Sequence, residues 1–230
     1  MGREEFYHRL LDARLCVITD RSLSRLAGAS PSRAAPRDTL SMVRALVKAG
    51  APMIQLREKD VPDAELLGLA REVRHLTRGT KTLFIVNDRP DLAAACDADG
   101  VHVGQGDLPV AQARKIVGPY RLVGLSVENV DQAVAALDTD ADYLGVGPVY
   151  ATPTKTDAAP PAGLSIFGEL EEKGVRMPAY AIGGVNTGNA ARILEAGAWG
   201  LAVVSAVAAA PDPGKAVREF LRILDEHPYE

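Results

Sequence analysis

Residues 53–88 read MIQLREKDVPDAELLGLAREVRHLTRGTKTLFIVND, and this stretch contains the unit from which the fold is predicted. Two short apolar runs begin at Met53 and Leu83. Between them, apolar residues such as Leu66 and Val73 recur at helical spacing, and Gly79 ends the segment as glycine often ends a helix. A strand, a helix and a second strand in this order predict neighbouring parallel strands.

Apolar runs of the same kind recur along the whole chain. They are LCVIT from Leu15, MIQLRE from Met53, LFIVND from Leu83, GVHV from Gly100, LVGLSV from Leu122, YLGVGPV from Tyr143, AYAIGGV from Ala179 and GLAVVSAV from Gly200. The segments between them have helical periodicity, and a last helix with Val217 and Phe220 on one face would seal the outside. Eight strands alternating with helices predict an α/β fold, a single (β/α)8 TIM barrel that spans residues 1–230 as one domain.

The competing architecture is an open, doubly wound sheet. That fold favours a glycine-rich dinucleotide turn after the first strand, whereas this chain has Asp20-Arg21-Ser22 there. Residues 21–37 are rich in Ser, Ala, Arg and Pro and predict a long loop, which either shields the site or has no role.

Composition and charge narrow the class of protein. Apolar residues make up 47% and charged residues 24% of the chain, which argues against disorder and against a disulfide scaffold. The apolar runs are too short to cross a bilayer and the N-terminus lacks secretory features, so we expect a cytoplasmic protein with no membrane partner. A net charge of −4 argues against a nucleic-acid partner. Cys16 and Cys96 are expected to be small buried apolar residues.

The second strand carries polar side chains on one face. Its two-residue period sends Gln55, Arg57 and Lys59 to one side and Ile54 and Leu56 to the other. Cations inside a barrel need a compensating anion, which is either an internal carboxylate or an anionic ligand. We favour a ligand, because a diphosphate needs several positive donors in one concave place.

Asp88 and Asp107 follow the third and fourth strands, each in the pattern Asp-x-Pro. Each could cap the next helix, with the proline in its first turn. Alternatively, the two carboxylates share a hard cation such as Mg²⁺ with substrate phosphates and waters. The cationic residues on the adjacent strand favour the second interpretation. Asn87 and Ser126 would add an amide and a hydroxyl at the same rim.

Loops near the end of the chain predict a lid and a phosphate site. Residues 151–157 carry several hydroxyls and Lys155, so this loop either closes over bound substrate or is an exposed turn. Strand seven ends in Gly183-Gly184 and strand eight in Val204-Ser205, where backbone N–H groups of barrels often hold a phosphate. A phosphorylated ligand is therefore expected, although a phosphate site of this kind does not identify the reaction that the protein catalyses.

Taken together and in order, these motifs resemble the thiamine phosphate synthase family. The resemblance spans roughly residues 15–207 and rests on Gln55 to Lys59, Asn87-Asp88, Val101 to Gln105 with Asp107, Gly145 to Pro148 followed by Thr152 to Lys155, and Ile182-Gly183-Gly184. The chain departs from the family pattern in its longer first loop and at Gly106, where an acidic residue often stands.

The resemblance implies a Mg²⁺-dependent transferase that joins hydroxymethylpyrimidine diphosphate to hydroxyethylthiazole phosphate and releases pyrophosphate. It implies that Asp88 and Asp107 hold the metal. The residues implied to hold the pyrimidine diphosphate are Gln55, Leu56, Arg57, Glu58, Lys59, Asn87, Ser126 and Lys155. Those implied to hold the thiazole phosphate are Thr152, Pro153, Thr154, Gly184, Val204 and Ser205. Arg57, Lys59, Ser126 and Lys155 are the expected catalytic residues, acting through charge and hydrogen bonds.

Other functions remain open at this point. A related thiazole tautomerase barrel would need neither the aspartate pair nor Lys155. A sugar-phosphate isomerase or aldol-type barrel would use the same phosphate site, with an acid and a base or a Schiff-base lysine. A phosphate-metabolite sensor would keep the pocket without turnover, and a homo-oligomer is compatible with any of these. His102 is expected to be a hydrogen-bonded core residue.

Overall fold

The computed structural model describes residues 3–23, 38–59, 61–152 and 159–229, and eight parallel strands in it close a barrel in sequence order. The strands are β1 (Leu15–Ile18), β2 (Met53–Leu56), β3 (Leu83–Asn87), β4 (Gly100–Val103), β5 (Leu122–Val127), β6 (Tyr143–Val146), β7 (Ala179–Ala181) and β8 (Gly200–Val203). Strand β8 pairs with β1 and completes the ring. The predicted (β/α)8 barrel is confirmed, and every strand begins where its apolar run begins.

Helices cover the outside of the barrel and one of its ends. They are α1 (Arg3–Leu11), α2 (Thr39–Lys48), α3 (Asp63–Thr77), α4 (Pro90–Ala95), α5 (Val110–Val117), α6 (Val130–Ala136), α7 (Ser165–Glu172), α8 (Ala190–Glu195), α9 (Ser205–Ala208) and α10 (Pro213–Glu226). Gly50 and Gly79 follow α2 and α3 with φ of 83° and 77°. Glycine adopts this left-handed conformation without strain, which explains why both helices end there.

Apolar side chains form two layers of core. One lies between the strands and the helices and includes Ile54 and Phe220. The other fills the barrel interior. Cys16 and Cys96 are buried free thiols, as predicted, and burial raises the pKa of Cys16 to about 12, which keeps this thiol protonated and unreactive.

The barrel interior is apolar at its amino-terminal end. Tyr143, Tyr180 and Trp199 stack edge to face there. Helix α1 closes that end with Phe6 and Leu10, which belong to the same interior cluster. One strand repeat further along, the inward positions change to polar residues such as Gln55 and Ser126. Among the residues that the structure describes, side chains therefore fill the amino-terminal end of the interior, and the cavity lies at the carboxyl ends of the strands.

The segment after β1 begins with a turn of helix at residues 21–23, where the sequence predicts a loop. The Asp20 carboxylate accepts hydrogen bonds from the backbone N–H groups of Ser22 at 3.0 Å and Leu23 at 3.3 Å, which stabilises this turn. The rest of the predicted loop, residues 24–37, lies outside the described residues. In the parts of the chain that are described, no helix is both long and apolar enough to cross a membrane.

Candidate active site

A cavity of about 490 Å³ opens at the carboxyl ends of the strands. Its walls come from the ends of β1 to β8 and the loops that follow them, as barrel geometry requires. The sequence-predicted site residues that line it are Gln55, Arg57, Lys59, Asn87, Asp88, Asp107, Ser126, Thr152, Gly184, Val204 and Ser205. The structure therefore brings these residues together, whatever the part that each one plays.

Two members of the predicted set lie elsewhere. Leu56 is buried between the barrel and the helices. The Glu58 carboxylate accepts hydrogen bonds from the Thr39 hydroxyl at 2.7 Å and the Thr19 hydroxyl at 3.2 Å, away from the cavity. Because the strand alternates its faces, the predicted substrate-binding role of Leu56 and Glu58 does not apply to their side chains. Pro153, Thr154 and Lys155 lie outside the described residues.

Arg57 is fixed at the cavity wall by residues at the end of β1. Its backbone N–H donates to the Thr19 hydroxyl at 3.0 Å, and its guanidinium lies 3.5 Å from the Asp20 carboxylate. Lys59 lines the same wall two residues later, on the same face. Two cations therefore face the cavity, one of them held by a carboxylate partner.

Asp88 and Asp107 place two carboxyl groups side by side at the rim. Burial, followed by the hydrogen bond and negative charge of Asp107, raises the pKa of Asp88 to about 6. Such a pair is costly without a cation between the carboxylates. Among the described residues no larger cluster of three or more His, Cys, Asp or Glu that could hold a metal occurs. Two carboxylates nevertheless suit Mg²⁺, which takes its remaining ligands from waters and phosphates.

The alternative role of these aspartates, as helix caps, is wrong. The N-caps of α4 and α5 are Arg89 and Pro109, and neither makes a side-chain capping hydrogen bond. Asp88 has φ of 60°, and Asp107 accepts from the Gly104 N–H at 2.7 Å within its own loop. Neither aspartate caps a helix, and both line the cavity.

A pair of amides forms the floor of the cavity. The Gln55 side-chain N–H donates to the Asn87 side-chain oxygen at 3.1 Å. This bond leaves the Gln55 carbonyl available to a ligand. The Asn87 amino group donates one hydrogen to the Asp88 carboxyl and keeps its second hydrogen for a ligand. The pair offers one acceptor and one donor at neighbouring positions, which suits a flat heterocycle with both kinds of group on its edge.

His102 and Gln105 also line the cavity beside Ser126, although the sequence predicts no site role for either residue. The His102 Nε2 lies 2.9 Å from the Ser126 hydroxyl. The Gln105 side-chain N–H donates to the Ser126 carbonyl at 2.6 Å. The alternation of β4 was the signal that could have found His102, because it places this ring inside the barrel with Gly100.

The far wall is a glycine-rich turn after β7. Gly183 and Gly184 have φ of 92° and 68°, and a Cβ on Gly184 would lie 2.7 Å from the Tyr150 Cβ. The Gly184 carbonyl accepts from the side chains of Asn186 at 3.2 Å and Asn189 at 3.0 Å. The turn is therefore close-packed and held in place beside Ser205, where α9 begins.

A second depression, of about 630 Å³, lies at the opposite end of the barrel. Glu4 and Tyr7 of α1 line it together with Arg176, which is paired with Glu171 at 3.3 Å. It lacks the converging cations, amides and carboxyl pair of the first cavity. We therefore place the candidate active site at the carboxyl ends of the strands.

Comparisons with known proteins show which proteins this chain is similar to. Residues 26–207 match the family model described as thiamine monophosphate synthase. The thiamine-phosphate synthase of Roseiflexus sp. (strain RS-1) is 47% identical over 208 residues, covering 90% of this chain and 84% of its own. That of Chloroflexus aurantiacus (strain ATCC 29366 / DSM 635 / J-10-fl) is 46% identical over 215 residues, with 94% of each covered. A solved structure, the thiamine phosphate pyrophosphorylase of Pyrococcus furiosus, superimposes with a TM-score of 0.82 at 38% identity, covering 95% of this chain and 98% of that one.

Proposed function

Since the chain belongs to the thiamine monophosphate synthase family, whose members make thiamine phosphate, we propose the following reaction for its cavity. The pyrimidinylmethyl group of hydroxymethylpyrimidine diphosphate separates from the diphosphate oxygen and bonds to the ring nitrogen of hydroxyethylthiazole phosphate. Thiamine phosphate and pyrophosphate are the products. The observation that carries this assignment is that Arg57 and Lys59 share one cavity with the Asp88–Asp107 pair.

The family uses a divalent metal ion, and we propose that here it is Mg²⁺, held by Asp88 and Asp107. The fit rests on the donors: the carboxyl groups of partly buried Asp88 and exposed Asp107 line one rim, where burial and the second carboxylate disfavour the charged form of Asp88. Bound there, Mg²⁺ would neutralise charge on a diphosphate. The thiazole tautomerase, which needs no such pair, is not favoured.

The protein's own cations would stabilise the departing pyrophosphate. The carbon–oxygen bond to the diphosphate breaks, and negative charge grows on the leaving oxygen. Arg57 and Lys59 face that charge from the end of β2, and Lys155 would add a third positive donor, as its place in the sequence motif implies. Preorganised donors of this kind supply much of the rate enhancement in water-poor sites.

The floor and far wall would hold the two reacting groups in line. Gln55 and Asn87 present an acceptor and a donor to the edge of the pyrimidine. Thr152, the Gly184 turn and the start of α9 at Val204 and Ser205 would hold the phosphate of the thiazole. The thiazole nitrogen is itself the nucleophile, so no general base is needed, and the contribution of the site is alignment.

The direct test is to incubate the purified protein with both substrates, with Mg²⁺ and with excess EDTA, and to follow pyrophosphate and thiamine phosphate. We expect equimolar release of the two products only when Mg²⁺ is present. Binding of both substrates without turnover would instead favour the sensor function. Product formation that is unchanged in EDTA would contradict the metal assignment alone.

A further inference from the structure

His102 reaches Ser126 along a diagonal between two strands. In the register of β4 and β5, His102 is opposite Gly124, and Ser126 lies two residues further on the same face. The imidazole therefore crosses over Gly124 before its Nε2 comes within 2.9 Å of the Ser126 hydroxyl. A side chain on residue 124 would block this path.

The ring of His102 has a close-fitting seat. A Cβ on Gly124 would lie 2.4 Å from its Nδ1, and a Cβ on Gly145 would lie 3.1 Å from its Cε1. The Tyr143 ring packs against it with centroids 5.4 Å apart. Two glycines and a tyrosine thus leave the imidazole one position, and in that position its Nε2 faces Ser126.

Ser126 is hydrogen-bonded through both its side-chain hydroxyl and its main-chain carbonyl. Its hydroxyl meets His102, and its carbonyl accepts from the Gln105 side chain at 2.6 Å. Both partners come from β4 or the loop that follows it. Any residue at position 126 could make the main-chain contact with Gln105, so the hydroxyl contact with His102 is the one that depends on serine.

We propose that His102 is a positioning residue whose Nε2–H donates to the Ser126 Oγ and so turns the serine hydrogen toward a phosphate oxygen of the bound diphosphate. A serine hydroxyl has one hydrogen, and a phosphate oxygen can only accept. Ser126 can donate to the substrate only when its own oxygen accepts from His102. The inference rests on the proposed function, because it assumes that the cavity holds a diphosphate.

The neutral form of the ring makes the choice of tautomer decisive. Burial lowers the pKa of His102 to about 4, despite the nearby Asp107. Neutral imidazole carries a hydrogen on one nitrogen only, so the Nε2–H tautomer excludes the Nδ1–H one. The proposal thus commits to one of two distinguishable states.

A double-mutant cycle tests this role. We expect His102→Leu to lower kcat by about 10 to 100-fold, the size of effect that misplacing one group produces. His102→Gln, which keeps a side-chain amide near the Nε2 position, should restore most of the rate. In a Ser126→Ala background the His102→Leu change should cost less than about threefold, because the partner through which it acts is gone. Tyr120→Phe, at an exposed ring that does not line the cavity, is the control and should keep the wild-type kcat.

Each other result has a distinct meaning. Equal losses in both backgrounds, or wild-type kcat in His102→Leu, would overturn the positioning role and leave the proposed function standing. Wild-type turnover by Ser126→Ala would overturn the positioning role together with the part that the proposed function gives to Ser126. Failure of the wild-type chain to make thiamine phosphate would overturn the proposed function itself.

Nitrogen NMR of the native chain decides the tautomer without any substitution. Protein labelled with ¹⁵N-histidine and supplied with Mg²⁺ and inorganic pyrophosphate should show a hydrogen on the His102 Nε2. A hydrogen on Nδ1 would overturn the proposal even in an active enzyme. This measurement also decides the question alone should His102→Leu fail to fold.

Discussion

The carboxyl groups of Asp88 and Asp107 interact with each other at the wall of one cavity, although they follow different strands. Burial and the second carboxylate raise the pKa of Asp88 to about 6, and its backbone φ of 60° is one that aspartate adopts at some cost. The fold thus maintains an arrangement that is unfavourable on its own. Such local cost is common where a ligand is to be bound.

The first prediction is that Asp88→Asn abolishes thiamine phosphate formation and yet stabilises the metal-free protein. Asparagine tolerates the positive φ and removes one of two repelling charges. Thermal unfolding in EDTA should therefore occur at a higher temperature than in the wild type. Added Mg²⁺ should raise the midpoint of the wild type but not that of the variant.

Asp131→Asn is the matched control for this experiment, because Asp131 is exposed in the first turn of α6. It should leave both the activity and the response to Mg²⁺ unchanged. Equal stabilisation of Asp88→Asn and wild type by Mg²⁺ would show that the metal binds elsewhere.

The second prediction compares two lysines, Lys59 and Lys81, that lie at opposite ends of the barrel. Lys59 lines the cavity, whereas Lys81 is exposed before β3, at the amino-terminal end. Lys59→Ala should slow single-turnover formation of thiamine phosphate by about 100 to 1000-fold, the usual effect of losing one transition-state donor. Lys81→Ala should have the wild-type rate. Similar rates for the two variants would remove Lys59 from the catalytic set.

The strands and the inward face of β2 could be predicted because each depends on a short local pattern. The alternation of side chains along the chain is enough to place Gln55, Arg57 and Lys59 on the face toward the cavity. The same alternation places Leu56 and Glu58 on the opposite face and so excludes their side chains from the site. The family resemblance implied that all five residues bind substrate, because a sequence motif does not show which way each side chain points. The structure supplied that direction.

The contacts of His102 could not be predicted in the same way. Its seat depends on Gly124 and Gly145, which come from two further strands and meet the ring only in the register of the closed barrel. Likewise, the sequence Asp-x-Pro is compatible with a helix cap, and only the structure shows that Arg89 and Pro109 occupy the N-cap positions instead. These features arise from tertiary geometry, which local spacing does not encode.

The third prediction is that His102 makes the protein less stable in mild acid. Its pKa of about 4 lies below the ordinary value of 6.5. Between these values the unfolded chain binds a proton that the folded chain does not, so stability is lost as the pH falls from 6.5 toward 4. Replacement by glutamine removes this contribution.

The measurement is the unfolding midpoint of wild type and His102→Gln at several pH values in EDTA. The midpoint of the wild type, relative to that of the variant, should fall steadily below pH 6.5 and be constant above pH 7. His75→Gln, on the exposed part of α3, should follow the wild type throughout. A difference between wild type and His102→Gln that does not vary with pH would contradict the prediction.

The last prediction concerns Glu58, which follows β2 and has a structural role, in contrast to its neighbours Arg57 and Lys59, which face the cavity. Glu58 has a fully buried carboxylate, which accepts from the hydroxyls of Thr19 and Thr39 and from the backbone N–H of Arg21 at 3.2 Å. It therefore joins the end of β1 to the start of α2. Glu58→Ala would leave these donors buried without their acceptor, and should lower the free energy of unfolding by about 2 to 4 kcal/mol.

Glu65 is the matched control, because it pairs with the same Arg21 at 3.0 Å but is 55% exposed. Glu65→Ala should cost less than about 1 kcal/mol, since a solvated ion pair contributes little. Urea unfolding of the two variants measures the difference directly. If Glu58 instead binds substrate through its carboxylate, Glu58→Ala will be as stable as Glu65→Ala and will show a raised KM for the pyrimidine diphosphate.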